Sequence, residues 1–254
     1  MNITEVAAYF NEILRLKNFA DDMSNNGLQL CGDAAKPCCK IAFAVDAVQA
    51  SIDQAAAQGA DLLVVHHGMS WGGEPRRWNG ITGKRMSRLF SSNTALYAVH
   101  LPLDAHEVYG NNAVLCDLMQ LEEREKFCAY HGMYIGFIGK RQPTSVEDVA
   151  RMAANGKTYE IYSSPTAPSV VSRIAVVSGG GGMDALDAAI ADGADVLVTG
   201  EFGHSMYHAV QEQGIHVVAL GHYNSEVHGV KSLQRLAEEE LKMQTVFLDI
   251  PTGL

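Results

Sequence analysis

Two stretches of the chain carry the same run of apolar and polar positions. IAFAVDAVQASIDQAAAQGADLLVVHHG, from Ile41, and IAVVSGGGGMDALDAAIADGADVLVTGEFGH, from Ile174, each read as an apolar strand, a Gly/Ala-rich helix, a Gly-Ala-Asp triplet and a second apolar strand. A pattern of that length repeated once is an internal duplication of a β-α-β unit. In both copies the second strand is continuously apolar, Leu62 to Val65 and Val196 to Val198, and follows a helix ended by Gly59 or Gly193. Parallel strands buried on both faces need such runs, and glycine closes a helix in the left-handed conformation. Each copy continues to a third apolar strand, Leu96 to Val99 and Val217 to Leu220. The expected fold is α/β, with two similar lobes and mixed, largely parallel sheets. The seam is expected near residues 125 to 135, dividing the chain into 1–128 and 129–254. Ile3, Val6, Ala7, Phe10, Ile13 and Leu14 fall on one face of an amphipathic N-terminal helix, not a secretion signal.

Open α/β sheets bind ligands beyond the carboxyl ends of their strands, and the polar clusters of this chain sit there. His66 and His67 end the second strand of the first half, and His100 to Asp104 follow its third strand. In the second half Glu201 and His204 follow the second strand, and His222 to Glu226 the third. Adjacent histidines at a strand end splay apart, which suits two ions better than one. A carboxylate at Asp104 can bridge ions or orient a ligand, and His222 and Glu226, four residues apart, share one face of a helical turn. Each piece alone has an ordinary structural explanation. Their recurrence at equivalent strand ends favours a metal site formed when the two halves pack together.

Competing motifs are weaker. Gly180 to Ala185 fits G-x-G-x-x-A between a strand and a helix, with Glu201 at the next strand end. The equivalent turn of the first half, Ala44 to Val48, has no glycine, so a tight turn allowing close backbone approach is preferred to a dinucleotide site. Ser70 and Ser225 lie within the clusters but in no nucleophile elbow. The five cysteines, Cys31, Cys38, Cys39, Cys116 and Cys128, show no C-x-x-C spacing and read as reduced structural thiols.

The 254 residues are 47% apolar, enough for two modest cores, and no stretch reaches the roughly 20 apolar residues of a membrane span. A cytoplasmic address is expected by default. A formal charge of −10 opposes broad binding to a polyanion. The local exception is Arg76, Arg77, Lys84, Arg85 and Arg88, just after the histidine pair. That stretch reads first as a solvated helix face, then as a phosphate or DNA contact.

NNGLQLCG (from Asn25), HHGMSWGGE (from His66), HLPLDAHEVYGNN (from His100), the Gly179 to Gly182 run, TGE (from Thr199) and GHYNSE (from Gly221) occur in one order, closed by FLDIP. With these motifs the chain resembles the NIF3 family, also called GTP cyclohydrolase 1 type 2, nearly end to end. The resemblance implies two α/β lobes facing across a metal-containing cleft, and toroidal homohexamers. It also implies a dinuclear centre whose ligands carry onto His66, His67, Asp104, His222 and Glu226, with His100 as a further ligand or a supporting group. Gly68 stands where many members have proline after the histidine pair.

The expected cofactors are two divalent ions per chain, which imidazole and carboxylate donors allow to be zinc, manganese, iron, nickel or cobalt. The expected activity is metal-assisted hydrolysis of a small molecule such as GTP. Activated water attacks C8 of the purine, the ring opens and formate leaves, with Glu226, Asp104 or Glu201 moving protons. Arg76, Arg77 and Lys84 are candidates for holding the triphosphate. The alternatives are a two-metal phosphoesterase and a metal-containing scaffold for DNA or protein that turns nothing over.

Overall fold

The computed structural model describes residues 1–73 and 77–254. The chain forms two compact units. The first is Met1–Leu103 with Val230–Ile250, and the second is Asp104–Gly229 with Pro251–Leu254.

In the first unit, α1 (Ile3–Ile13) is started by Asn2, whose side chain accepts from the Glu5 amide while the Glu5 carboxylate accepts from the Asn2 amide. Then come β1 (Gly27–Leu30), β2 (Lys40–Asp46), α2 (Gln49–Ala57), β3 (Leu62–His67), α3 (Gly80–Ser91) and β4 (Ala95–Ala98). The short α4 (Leu101–Asp104) carries the chain to the second unit. That unit contains α5 (Asn111–Leu118), β5 (Glu122–Tyr130), β6 (Met133–Thr144), α6 (Val146–Ala154), β7 (Glu160–Ser163), β8 (Val171–Val177), α7 (Gly182–Ala191), β9 (Val196–Thr199), α8 (His204–Gln213) and β10 (His216–Ala219). Finally α9 (His222–Glu239) and β11 (Gln244–Phe247) return the chain to the first unit.

The first sheet has the order β1-β4-β3-β2-β11, with β1 antiparallel to β4 and the other pairs parallel. On one face Phe10 of α1 packs against Phe43 and Tyr97. On the other, Ile52 of α2 and Leu89 of α3 pack with Ala42, Ala44, Leu63 and Val65. The second sheet has the order β5-β6-β8-β9-β10-β7, parallel through β8-β9-β10 and antiparallel outside them. Its central strands alternate. Ile174 and Val176 join the α5 and α6 side chains, whereas Ala175 and Val177 join those of α7 and α8.

The duplication is visible bond by bond. Gly59 and Gly193 close their helices at φ +65° and +67°. The amides of Ala60 and Ala194 donate back to Ala55 and Ala189. The Asp61 carboxylate accepts from the amides of Cys39 and Lys40, and that of Asp195 from the amides of Ser172 and Arg173, all at 2.8–3.1 Å. Gly-Ala-Asp therefore ends a helix, starts a strand and anchors the neighbouring strand in both units.

The expected seam at 128/129 lies inside β5. There β5 and β6 form one hairpin across Tyr130↔Met133, turned by His131 and Gly132 at φ 47° and 77°, a two-residue turn with both centres left-handed. Phe127 and Cys128 are buried in the core of the second unit, so this segment is no linker. Among the described residues no helix is long and apolar enough to cross a membrane.

Candidate metal centre

In the first unit, His66 and His67 are the last two residues of β3, and His100 lies two residues beyond β4. Neighbouring parallel strands end side by side, so the three imidazoles gather. One ring nitrogen of each lies within 4.8 Å of the others. The histidine pair is expected to splay, yet its ring centroids are only 4.6 Å apart, tilted by 41°.

Each ring is held from behind by an acceptor. His66, fully buried, sets Nδ1 at 2.9 Å from the Val99 carbonyl. His67 Nδ1 lies 2.9 Å from Asp46 Oδ1, and His100 Nδ1 lies 3.0 Å from Asp22 Oδ1. Carbonyl and carboxylate oxygens only accept, so Nδ1 carries the proton and Nε2 is the nitrogen able to bind a metal ion. Burial works to raise the Asp22 carboxyl, but hydrogen bonds from His100 and Asn26 hold it below the usual carboxylate range.

The loop after the histidine pair is tied down by NNGLQL. Gln29 Oε1 accepts from the amides of Met69 and Ser70, and Asn25 Nδ2 donates to Ser70 Oγ. A Cβ at Gly68 would overlap the Gln29 amide and the Ala98 methyl, so no larger residue fits this arrangement. Trp71 Nε1 donates to the Gly68 carbonyl, and its ring stands edge-on to His100 with centroids 4.9 Å apart.

In the second unit, Asp104 is 6% exposed, and its Oδ1 accepts from Asn111 Nδ2 and Ser178 Oγ, both at 2.9 Å. Asn111 Oδ1 in turn accepts from the Gly229 amide of α9, and Asn112 Oδ1 from the Ser178 amide. His222 opens α9 and Glu226 follows one turn later, with His222 Nε2 and Glu226 Oε1 3.1 Å apart. His222 Nδ1 lies 2.6 Å from Glu201 Oε1. The hydrogen bond to Glu226 is the main cause that pushes His222 up to about 9. Burial opposes it, and the charges of Glu226 and Glu201 assist.

The glycine run makes room for this group. A Cβ at Gly179, where φ is +64°, would overlap Glu226 Oε1 and lie 3.3 Å from His222 Nε2. The amides of Gly200 and Glu201 both donate to the Gly179 carbonyl at 3.0 Å. Ser225 is no nucleophile here, because its hydroxyl donates to the His222 carbonyl and accepts from the Gly179 amide. His204 begins α8 and joins neither donor group.

The supporting residues Asp22, Asp46, Asn111, Asn112 and Ser178 carry no role in the sequence reading. Asp46 ends β2 and is within reach of the strand-end rule that selects the histidines. Asp22 has no such signal, being 78 residues from His100 in a loop. Of the basic stretch, Arg76 lies outside the described residues, Arg77 and Lys84 are exposed, and Arg88 Nε donates to Asp53 at 3.0 Å. The thiols stay protonated at neutral pH where they are buried. Burial pushes Cys38 and Cys116 up to about 12 and Cys128 up to about 11.

A duplicated α/β protein with histidine and carboxylate groups able to hold a metal ion is the class these observations define. The chain belongs to the Duf34/NIF3 (NGG1p interacting factor 3) family, whose model matches residues 1–252. It is 43% identical over 255 residues to a protein of Archaeoglobus fulgidus named GTP cyclohydrolase 1 type 2 homolog, covering all of both chains. A protein of the same name from Escherichia coli K12 is 34% identical over 254 residues, with 99% of each chain covered. The crystal structure of TTHA1606 from Thermus thermophilus matches with a TM-score of 0.87 and 33% identity over the full length of both chains.

Proposed function

We propose that this protein is a divalent-metal-dependent hydrolase acting on a nucleotide such as GTP, with purine ring opening and release of formate. The observation that carries the reading is the shared anchoring of four imidazoles. Nδ1 of His66, His67, His100 and His222 each faces a carbonyl or carboxylate at 2.6–3.0 Å, the arrangement that fixes a histidine as a metal ligand. In this reading two divalent ions are held by His66, His67, Asp104, His222 and Glu226, with His100 as a further ligand, and imidazole and carboxylate are donor types that suit such ions. Such ions supply a water of lowered pKa and polarise the bond under attack.

The chain's own groups do the remaining work. Asp22, Asp46 and the Val99 carbonyl keep three rings in one tautomer, and Asn111 and Ser178 orient the Asp104 carboxylate. Glu201 holds the proton on His222 Nδ1 and, with Asp104 and Glu226, is placed to accept and return protons as the ring opens. The name borne by the relatives is a further support for the nucleotide. The homohexamer implied by the family resemblance belongs to the same proposal, and sedimentation equilibrium checks it.

The test is a formate assay on purified, metal-loaded protein incubated with GTP. Formate supports the reading, and phosphate without formate replaces it with a two-metal phosphoesterase. Elemental analysis of untagged protein is expected to give two ions per chain, with fewer in His66→Ala and Glu226→Ala. A count of zero sinks the metal centre itself.

A further inference from the structure

His204, the histidine that joins neither donor group, has a partner one turn away. It is the first residue of α8, and His208 lies four residues further along the same helix. Residues four apart share one helix face, with Cβ atoms about 5–6 Å apart. Here that face is the outer one. Met206 is two residues from each histidine, about 200° of helical rotation, and it is 1% exposed. Its burial turns His204 and His208 outward, and both are exposed.

The four anchored imidazoles are each held in one orientation, and this pair is not. Among the described residues no hydrogen bond or ion pair engages the His204 or His208 ring. Tyr207 meets the His208 ring edge-on, with centroids 5.4 Å apart, a contact that leaves the ring nitrogens uncommitted. Both rings can therefore turn about χ1 and χ2 toward one point above the helix. A nitrogen from each then reaches a single ion at the length of a zinc–nitrogen bond, about 2.0–2.1 Å. Helical zinc sites use histidines at this same spacing.

Charge nearby favours a cation as well. The positive end of α8 opposes one, but Glu201 stands three residues before His204 and Glu212 one turn after His208, both exposed. We infer that His204 and His208 form a separate metal site on the outer face of α8. It takes one divalent ion that prefers nitrogen, such as zinc, nickel or copper, and leaves the other coordination positions to water. Magnesium and calcium, which take oxygen ligands, are rejected. Two protein ligands replace the four of a structural zinc site, so binding is micromolar. Gly203, which precedes the helix, has no side chain to cap it, and the ion ties the first turn of α8 to the second. The site stands apart from the proposed hydrolase chemistry and does not rest on it.

Equilibrium dialysis of the full-length, desalted protein against micromolar free zinc tests it, beside His204→Ala and His208→Ala. Both substitutions are at exposed positions and leave the fold intact. The native protein is expected to take up one ion per chain more than either variant. Copper is expected to fill that extra site at a lower concentration than zinc, and magnesium not to fill it. Zinc is also expected to slow amide exchange across His204–Gln213 by several-fold in the native protein and in neither variant. Equal uptake by the native protein and either variant overturns the site, as does magnesium filling it as well as zinc. A micromolar ion is removed by desalting, so the ion count of the purified protein and the formate assay decide the proposed function independently.

Discussion

From Gly59 to Asp61, and again from Gly193 to Asp195, the backbone makes one turn with one set of hydrogen bonds, whereas the turns that open the two helices have nothing in common. After β2 the chain runs through Asp46 to Val48, where Asp46 reaches His67 and the Ser51 hydroxyl donates to the Asp46 carbonyl. After β8 it runs through Ser178 to Gly182, where bare backbone is packed by Glu226 and His222. In the first unit the strand end supplies a side chain that orients His67. In the second it withdraws side chains so that His222 and Glu226 of α9 can occupy the space. The end that builds the scaffold stayed the same, and the end that faces the histidine and carboxylate groups diverged.

Substitutions in the two kinds of turn can break that comparison. The largest effect is expected for Gly179→Ala, which forces a methyl onto Glu226 at a positive φ. It should release at least one bound ion and cost roughly 2–4 kcal/mol. Gly59→Ala has the same φ sign with nothing within 4 Å of the added carbon, so about 1 kcal/mol and unchanged metal content are expected. Calorimetry with elemental analysis decides, and equal losses at the two sites would end the distinction between scaffold and site glycines.

Next come the carboxylates that stand behind the rings. Asp46→Ala and Glu201→Ala should each lower metal affinity by about 10–100-fold, measured by competition with a chromogenic chelator. An affinity unchanged in both would mean that the anchoring of Nδ1 is irrelevant to the metal.

The smallest effect on the metal is expected at the shared triplet, where the loss is one of stability. Asp61→Ala and Asp195→Ala each remove a carboxylate from two strand amides, and each should cost about 2 kcal/mol in denaturant unfolding. Burial works to raise the Asp61 carboxyl, yet hydrogen bonds from Lys36, Cys39 and Lys40 hold it below the ordinary carboxylate range. Its contribution is therefore complete above the unfolded value of about 4 and is lost as pH falls toward the folded one. The stability gap between the native protein and Asp61→Asn should narrow below about pH 4. A gap that widens there would contradict the assignment.

The duplication and the donor-bearing strand ends are legible in the sequence because both follow from short-range pattern. Glycine ends a helix wherever it stands, and a parallel strand must be apolar on both faces. The hairpin of β5 and β6 is hidden because His131 adopts a left-handed φ that its identity does not announce, and only Gly132 carries a signal. The exposed run Glu122 to Lys126 also looks like loop. Asp22 and the Asn111–Asp104–Ser178 network are beyond reach because their partners are brought together by tertiary packing, 78 residues apart for Asp22 and His100 and 74 for Ser178 and Asp104. Gly179 is recognisable as a point of close approach, but the approaching group is not.

The place of β11 governs how the molecule is made. Gln244 pairs with Lys40 and Phe247 with Phe43, so one side of β2 has no neighbour until the ribosome has delivered almost everything between them. Through that interval a nascent chain carries an apolar strand, Ile41 to Val45, with an open hydrogen-bonding edge. Such an edge invites pairing with another nascent copy. Slow elongation therefore prolongs exposure of the first sheet, and the closing strand acts as the clasp that ends it.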